Sequence, residues 1–176
     1  MDIVLPKRVI LDHSPPSWDE SPDWFVTICT ARPKKNTLLV PERSKQLISS
    51  FAEYHRKGTC FVELMVLMPD HLHVIMNVPS KTTLSEVIRS WKRWSAKELR
   101  IEWQRSFFEH RLRSYPSANQ KFKYVLNNPV RAGFVISPDD WPYKFIGTVA
   151  EHGLLRITAP TCVRSFGRVR YPNGPY

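Results

Sequence analysis

Residues 59–78 read Thr-Cys-Phe-Val-Glu-Leu-Met-Val-Leu-Met-Pro-Asp-His-Leu-His-Val-Ile-Met-Asn-Val. Two strand-like runs, Thr59 to Met68 and His71 to Val78, are separated only by Pro69 and Asp70, the residue types that favour a tight turn, so the stretch predicts an antiparallel hairpin. Side chains alternate along a strand. His71, His73, Ile75 and Asn77 therefore share one face and Leu72, Val74 and Met76 the other. The fully apolar set is the one expected to meet helices, which leaves both imidazoles side by side on a face expected to be open. Two neutral imidazoles so placed can bind one divalent cation. The same spacing also suits two hydrogen-bonded or solvated strand histidines, because a metal site needs a third ligand and supporting hydrogen bonds.

Outward from the hairpin, Trp24 to Thr30 is β-branched and aromatic and predicts a first strand, followed by a basic loop from Arg32 to Asn36 that includes Lys34 and Lys35. Leu47, Ile48, Phe51 and Tyr54 recur at helical spacing, so Glu42 to Lys57 reads as a helix with Gly58 as its C-terminal stop. Thr83 and Glu86 have capping-box spacing. They open a second helix that carries Leu84, Val87, Ile88 and Trp91 on one side and Arg89, Arg93, Lys97 and Arg100 on the other, running to about Arg100. Ser106 to Arg113 is a weaker strand candidate. Ser117 and Gln120 form another capping-box pattern, for a third helix ending near Asn128 ahead of Pro129. Strand, helix, hairpin, helix, strand is the order of an α+β, ferredoxin-like (split βαβ) antiparallel sheet with helices on one face, here followed by a C-terminal helix that bears Tyr124. The expected organisation is a Pro-rich arm over residues 1–22, a catalytic domain over 23–145 and a basic tail over 146–176 with Arg164, Arg168 and Arg170.

The chain of 176 residues carries 26 Lys and Arg against 16 Asp and Glu, a formal net charge of +10 that suits a polyanionic partner, nucleic acid first. Cys29, Cys60 and Cys162 lack metal or redox spacing and read as reduced, packed thiols of a cytosolic protein. No apolar run is long enough to span a bilayer, and no secretory leader pattern precedes Asp12, so the expectation is a cytoplasmic, nucleoid-associated protein with no membrane partner.

The segment Lys123-Tyr124-Val125-Leu126-Asn127-Asn128-Pro129-Val130-Arg131-Ala132-Gly133-Phe134-Val135 supplies a second centre. At helical periodicity Phe122, Val125 and Leu126 make the buried side, which puts Tyr124 roughly opposite, with Lys121 and Asn128. A core tyrosine belongs among the apolar set; this one does not, and its phenol is expected to be exposed. Asn128, four residues on, can project from the same side of the helix as Tyr124, the spacing a third metal ligand needs, and equally suits a helix end before proline.

The run from Leu67 to Met76, with its Met-Pro-Asp-His-Leu-His core, resembles the signature of the single-tyrosine HUH transposases. The Tyr124 segment is similar to the Tyr-Ile-x-x-Asn-Pro-Val-Arg-Ala-Gly-Leu-Val stretch of their REP-associated branch, whose domain is of the IS200-like type. Trp103 to Arg113 and Asp139 to Tyr143 match further segments of that branch, and the likeness covers about Trp24 to Phe145.

That resemblance implies a metal-dependent transposase that nicks and rejoins single-stranded DNA at imperfect hairpins, as monomer or dimer. Tyr124 is the implied nucleophile, forming a 5′-phosphotyrosine, with Mg2+ or Mn2+ held by His71, His73 and Asn128. Phosphates are expected on Arg32, Lys34, Lys35, Arg89, Arg93, Lys97, Arg100, Lys121 and Arg131, and bases on exposed aromatics such as Trp94 or Phe108. Glu109 and His110 read as structural or DNA-positioning. Three rivals stay open: a non-catalytic single-stranded nucleic-acid-binding protein, a domesticated transposase relative, and a metal-dependent hydrolase using His71 and His73 with Glu63 or Asp70.

Overall fold

The computed structural model describes residues 22–113 and 115–147. The N-terminal arm up to residue 21 and the tail from residue 148, with Cys162 and its arginines, lie outside the described residues. Five strands, β1 (Asp23–Cys29), β2 (Phe61–Leu67), β3 (His71–Asn77), β4 (Phe108–Leu112) and β5 (Lys144–Ile146), form one sheet in the order β4-β1-β3-β2-β5. All neighbouring pairs are antiparallel. With α1 (Pro41–Arg56) between β1 and β2 and α2 (Leu84–Leu99) between β3 and β4, the first four strands make the α+β split-βαβ arrangement that the element order predicts. β5, unforeseen in the sequence, extends the sheet beyond β2.

Helix formation follows local chemistry. Thr83 accepts a hydrogen bond from the Glu86 amide while the Glu86 carboxylate takes the Thr83 amide, a complete capping box at the start of α2. Beyond α1, Gly58 adopts φ +64°, a left-handed geometry in which glycine alone pays no side-chain penalty. The third helix, α3 (Tyr115–Leu126), begins three residues earlier than the Ser117/Gln120 box predicts, with Pro116 in its first turn, where a missing amide costs nothing. It also stops sooner. Asn127 is a turn residue, and a short helix α4 (Asn128–Arg131) restarts with Pro129 near its head. Pro129 has no amide to continue the ladder, so Tyr124 and Asn128 sit on two successive helices rather than one.

Core packing is two-sided. On the face of Leu72, Val74 and Met76, the side chains of Val26, Ile28, Met65 and Leu67 are sealed from solvent together with Leu47 and Phe51 of α1 and Ile88 and Trp91 of α2. The Phe51 and Trp91 rings meet at 4.6 Å, and the Trp91 indole donates to Ser50 at 2.8 Å. The opposite face differs from the sequence expectation, because it is covered. α3 lies over it, with Val125 buried and the Lys121 ammonium 4.7 Å above the Phe25 ring. The physical reason is its composition: Phe25, Leu64, Val66 and Ile75 all point that way, and leaving them in water would cost roughly 1.5–3 kcal/mol each.

β5 is locked by a close approach. The Gly147 amide donates to the Glu63 carbonyl at 3.1 Å beside a register shift in β2. A Cβ at Gly147 would run into the Val62 carbonyl oxygen and come within 2.9 Å of His55 Cε1. Gly147→Ala is therefore expected to destabilise the fold by about 1–3 kcal/mol, read as a lower midpoint in urea or thermal unfolding. An unchanged midpoint would mean that the edge relaxes freely.

Candidate nucleic-acid-processing site

β3 is the central strand, hydrogen-bonded to β1 on one side and β2 on the other, and it carries the histidine pair. Thr27 lies directly across from His73, and Cys29 across from His71. The two imidazoles are edge to face with centroids 4.9 Å apart. His71 Nδ1 donates to the Asp70 carboxylate at 2.7 Å. Burial would raise the Asp70 carboxyl, but hydrogen bonds from His71 and from the Lys34 amide, 2.6 Å away, outweigh it and hold the group below its ordinary value. His73 Nδ1 lies 2.9 Å from the Thr27 hydroxyl. When His73 carries its proton on Nδ1, both Nε2 lone pairs remain for a cation. A partner on the far nitrogen is what fixes a ligating imidazole's tautomer and orientation.

His73 is 8% exposed, and its pKa is pushed down to about 3, first by burial, then by His71 and by the Lys121 charge. It is thus neutral, the form that ligates. Since its folded-state pKa lies below the ordinary value of 6.5, stability from the neutral ring is complete above about pH 6.5. Below that, only the unfolded chain takes up the proton, and stability is lost as pH falls toward 3. Buried His55 is lowered by desolvation and adds in the same sense. In chelator, the unfolding free energy from urea titrations should fall below about pH 6.5 with a slope on the order of 1.4 kcal/mol per pH unit per suppressed histidine, and His73→Gln should reduce that slope, leaving the share of His55. A slope unaltered in that variant would assign the acid sensitivity elsewhere.

Tyr124, on α3, is 43% exposed, as the helical pattern predicts. Its ring is flanked by the Lys121 ammonium at 5.0 Å and the Arg131 guanidinium at 4.6 Å. Lys121 ties the two centres together, since it also stands over Phe25, and Phe25 stacks on His73 at 5.4 Å. No hydrogen bond or ring contact joins Tyr124 to either histidine among the described residues. Asn128 Nδ2 is buried without a partner. An unanswered buried amide end costs about 1–3 kcal/mol, and rotating the amide would exchange this nitrogen for an oxygen donor. Imidazoles with supported Nδ1 atoms have the chemistry of cation ligands, and the unanswered Asn128 amide stands on α4, one short helix beyond Tyr124.

The remaining candidates divide. Arg89, Arg93, Lys97 and Arg100 line a groove between α2 and the segment from Ile101 to Glu109. Glu109 pairs with Val26 in register, so this groove opens on the sheet face opposite the histidines. The α2 stripe and the tyrosine centre thus lie on different sides. Arg32 is engaged with Glu102 at 3.2 Å, and Arg32, Lys35 and Arg100 line one small pocket. Arg100 and Lys34 both hold positive φ, 52° and 60°, unusual for residues with a Cβ. Trp94 is half-buried against the core, whereas Phe108 is 58% exposed. Glu63 sits at the far end of the sheet near Asp23 and Asn77, which removes it from the His71 neighbourhood that the hydrolase reading requires. Asp70 supports His71 through Nδ1. Thr27 was missed by sequence reasoning; its pairing with His73 depends on a strand register that no local pattern encodes.

Comparison with known proteins matches residues 25–125, more than half of the chain, to the family model described as "Transposase IS200 like". A REP-associated tyrosine transposase of Escherichia coli (strain K12) is 27% identical over 137 residues, covering 76% of this chain and 82% of that protein. A solved structure of a REP-associated tyrosine transposase bound to a REP hairpin superposes with a TM-score of 0.62 at 24% identity, covering 70% of this chain and 75% of the other. That likeness is one of fold. Among the described residues, no helix is long and apolar enough to cross a membrane.

Proposed function

The chain belongs to the IS200-like transposase family, and from that premise we propose that it cleaves and rejoins single-stranded DNA through a covalent bond to Tyr124. The observation that carries the reading is the position of that phenol, exposed and held between Lys121 and Arg131 on a helix laid over the face of the paired imidazoles. The phenol oxygen attacks phosphorus in line. A bond forms between that oxygen and phosphorus, the bond from phosphorus to the 3′-oxygen breaks, and the departing 3′-oxygen takes up a proton while the phenol gives one up. The product is a 5′-phosphotyrosine and a free 3′-hydroxyl, and attack by another 3′-hydroxyl reverses the step and joins DNA. Lys121 and Arg131 neutralise the phosphate as it approaches the ring. His71 and His73, through Nε2, and Asn128 would hold a divalent cation, Mg2+ or Mn2+, which when bound supplies Lewis-acid stabilisation of the phosphoryl oxygen.

The proposed partner is single-stranded DNA folded into imperfect palindromic hairpins, in the nucleoid. The hairpin bound to the structural relative and the net charge of +10 support it. The α2 groove, with Arg89, Arg93, Lys97 and Arg100, would hold the part of the DNA that is not being cut. The direct test offers a labelled single strand with divalent metal and looks for label that stays with the protein through denaturation. A strand that binds but is never retained would leave a passive nucleic-acid binder.

A further inference from the structure

Across the sheet, Phe108 of β4, Thr27 of β1, His73 of β3 and Val66 of β2 are successive register partners, so their side chains stand in one transverse row on the same face. Phe108 occupies the outer end of that row, on an edge strand. Two strand spacings, roughly 10 Å, separate it from His73. α3 covers the middle of the face, where Phe25 and Ile75 are 5% and 0% exposed, yet leaves the Phe108 ring 58% exposed. The rings are continuous: Phe108 meets Phe25 edge to face at 6.1 Å, and Phe25 stacks on His73. The Lys121 charge lies above Phe25 and also within 5.0 Å of the Tyr124 ring.

We infer that Phe108 is a stacking platform for a nucleobase close to the scissile phosphate, so that it fixes the register of the strand relative to Tyr124. This deepens the strand-transfer reading and rests on it. A single strand whose phosphate is neutralised by Lys121 and Arg131 must send its neighbouring bases somewhere. In one direction along the row lies the exposed aromatic face of Phe108. Every base has a π-face, so such a contact positions without reading sequence. Phe108 is therefore a positioning residue. Trp94, the other aromatic candidate, belongs to α2 on the opposite side of the sheet.

The test measures strand binding by anisotropy in a Tyr124→Phe background, so it does not depend on adduct formation. Phe108→Ala and Phe108→Leu should each weaken binding about tenfold or more, while Phe108→Trp restores it. With an abasic site moved one position at a time along the strand, one position should weaken the Phe108 protein by a similar factor and cost the Phe108→Ala protein nothing further. Leu preserves apolar bulk without a π-face, so a loss shared by Ala and Leu and rescued by Trp marks stacking rather than folding. Equal binding by all variants, or an abasic penalty undiminished by Phe108→Ala at every position, overturns the proposal. Failure of the wild-type protein to form an adduct would instead overturn the enzyme reading and leave this contact standing.

Discussion

Tyr124→Phe is expected to abolish covalent capture of DNA, a loss of at least about a thousandfold in adduct formation, while strand binding stays within about twofold. The substitution removes one oxygen. It leaves the ring that lies between Lys121 and Arg131, so the cationic surroundings that recruit phosphate persist. With 43% of the residue exposed, the fold should change by no more than about 0.5 kcal/mol. Denaturing gels of end-labelled strand incubated with both proteins decide the matter, with anisotropy as the binding control. Label retained by the phenylalanine protein would remove Tyr124 from the chemistry and return attention to other nucleophiles.

Substituting His71 should be nearly as damaging, though for another reason. His71→Ala takes away one of two imidazoles whose Nδ1 atoms are already engaged, by Asp70 and by Thr27. Adduct formation should fall by about a hundredfold or more. His71 is the better choice of the pair, because His73 is buried and its truncation would open a cavity as well as remove a proposed ligand. Calorimetric titration with Mn2+ provides a second readout that does not involve turnover: heat of binding to wild type, lost in His71→Ala, with the thermal midpoint of the metal-free protein little changed. A variant that bound Mn2+ and formed adduct like wild type would show that the histidines serve only the fold.

Much of this was legible in the sequence because the decisive signals were local. Pro69 and Asp70 between two apolar runs define the hairpin, and the Thr83/Glu86 box places the head of α2. The exclusion of Tyr124 from the apolar side of its helix foretold exposure. Other features needed three dimensions. The covered face cannot be seen from β3 alone, because Leu64 and Val66 in β2 and Phe25 in β1 supply apolar residues to that side as well; near-continuous apolar strands are the mark of a sheet buried on both faces. β5 is a three-residue edge with one buried side chain, too short for any periodicity to declare it. The separation of the α2 arginines from the tyrosine centre arises from which side of the sheet each helix occupies, and charge spacing carries no information on that.

The central placement of β3 divides the molecule into a fixed anvil and an adjustable arm. A strand clamped along both edges has little room to shift, which anchors the backbone that carries the imidazoles. α3 is different. It lies on the sheet as a helix outside the strand ladder, with a helical break at Asn127 at its far end. With Tyr124 as the proposed nucleophile, its alignment with a phosphate depends on that helix, and substitutions beneath α3 should shift it without touching the histidine strand.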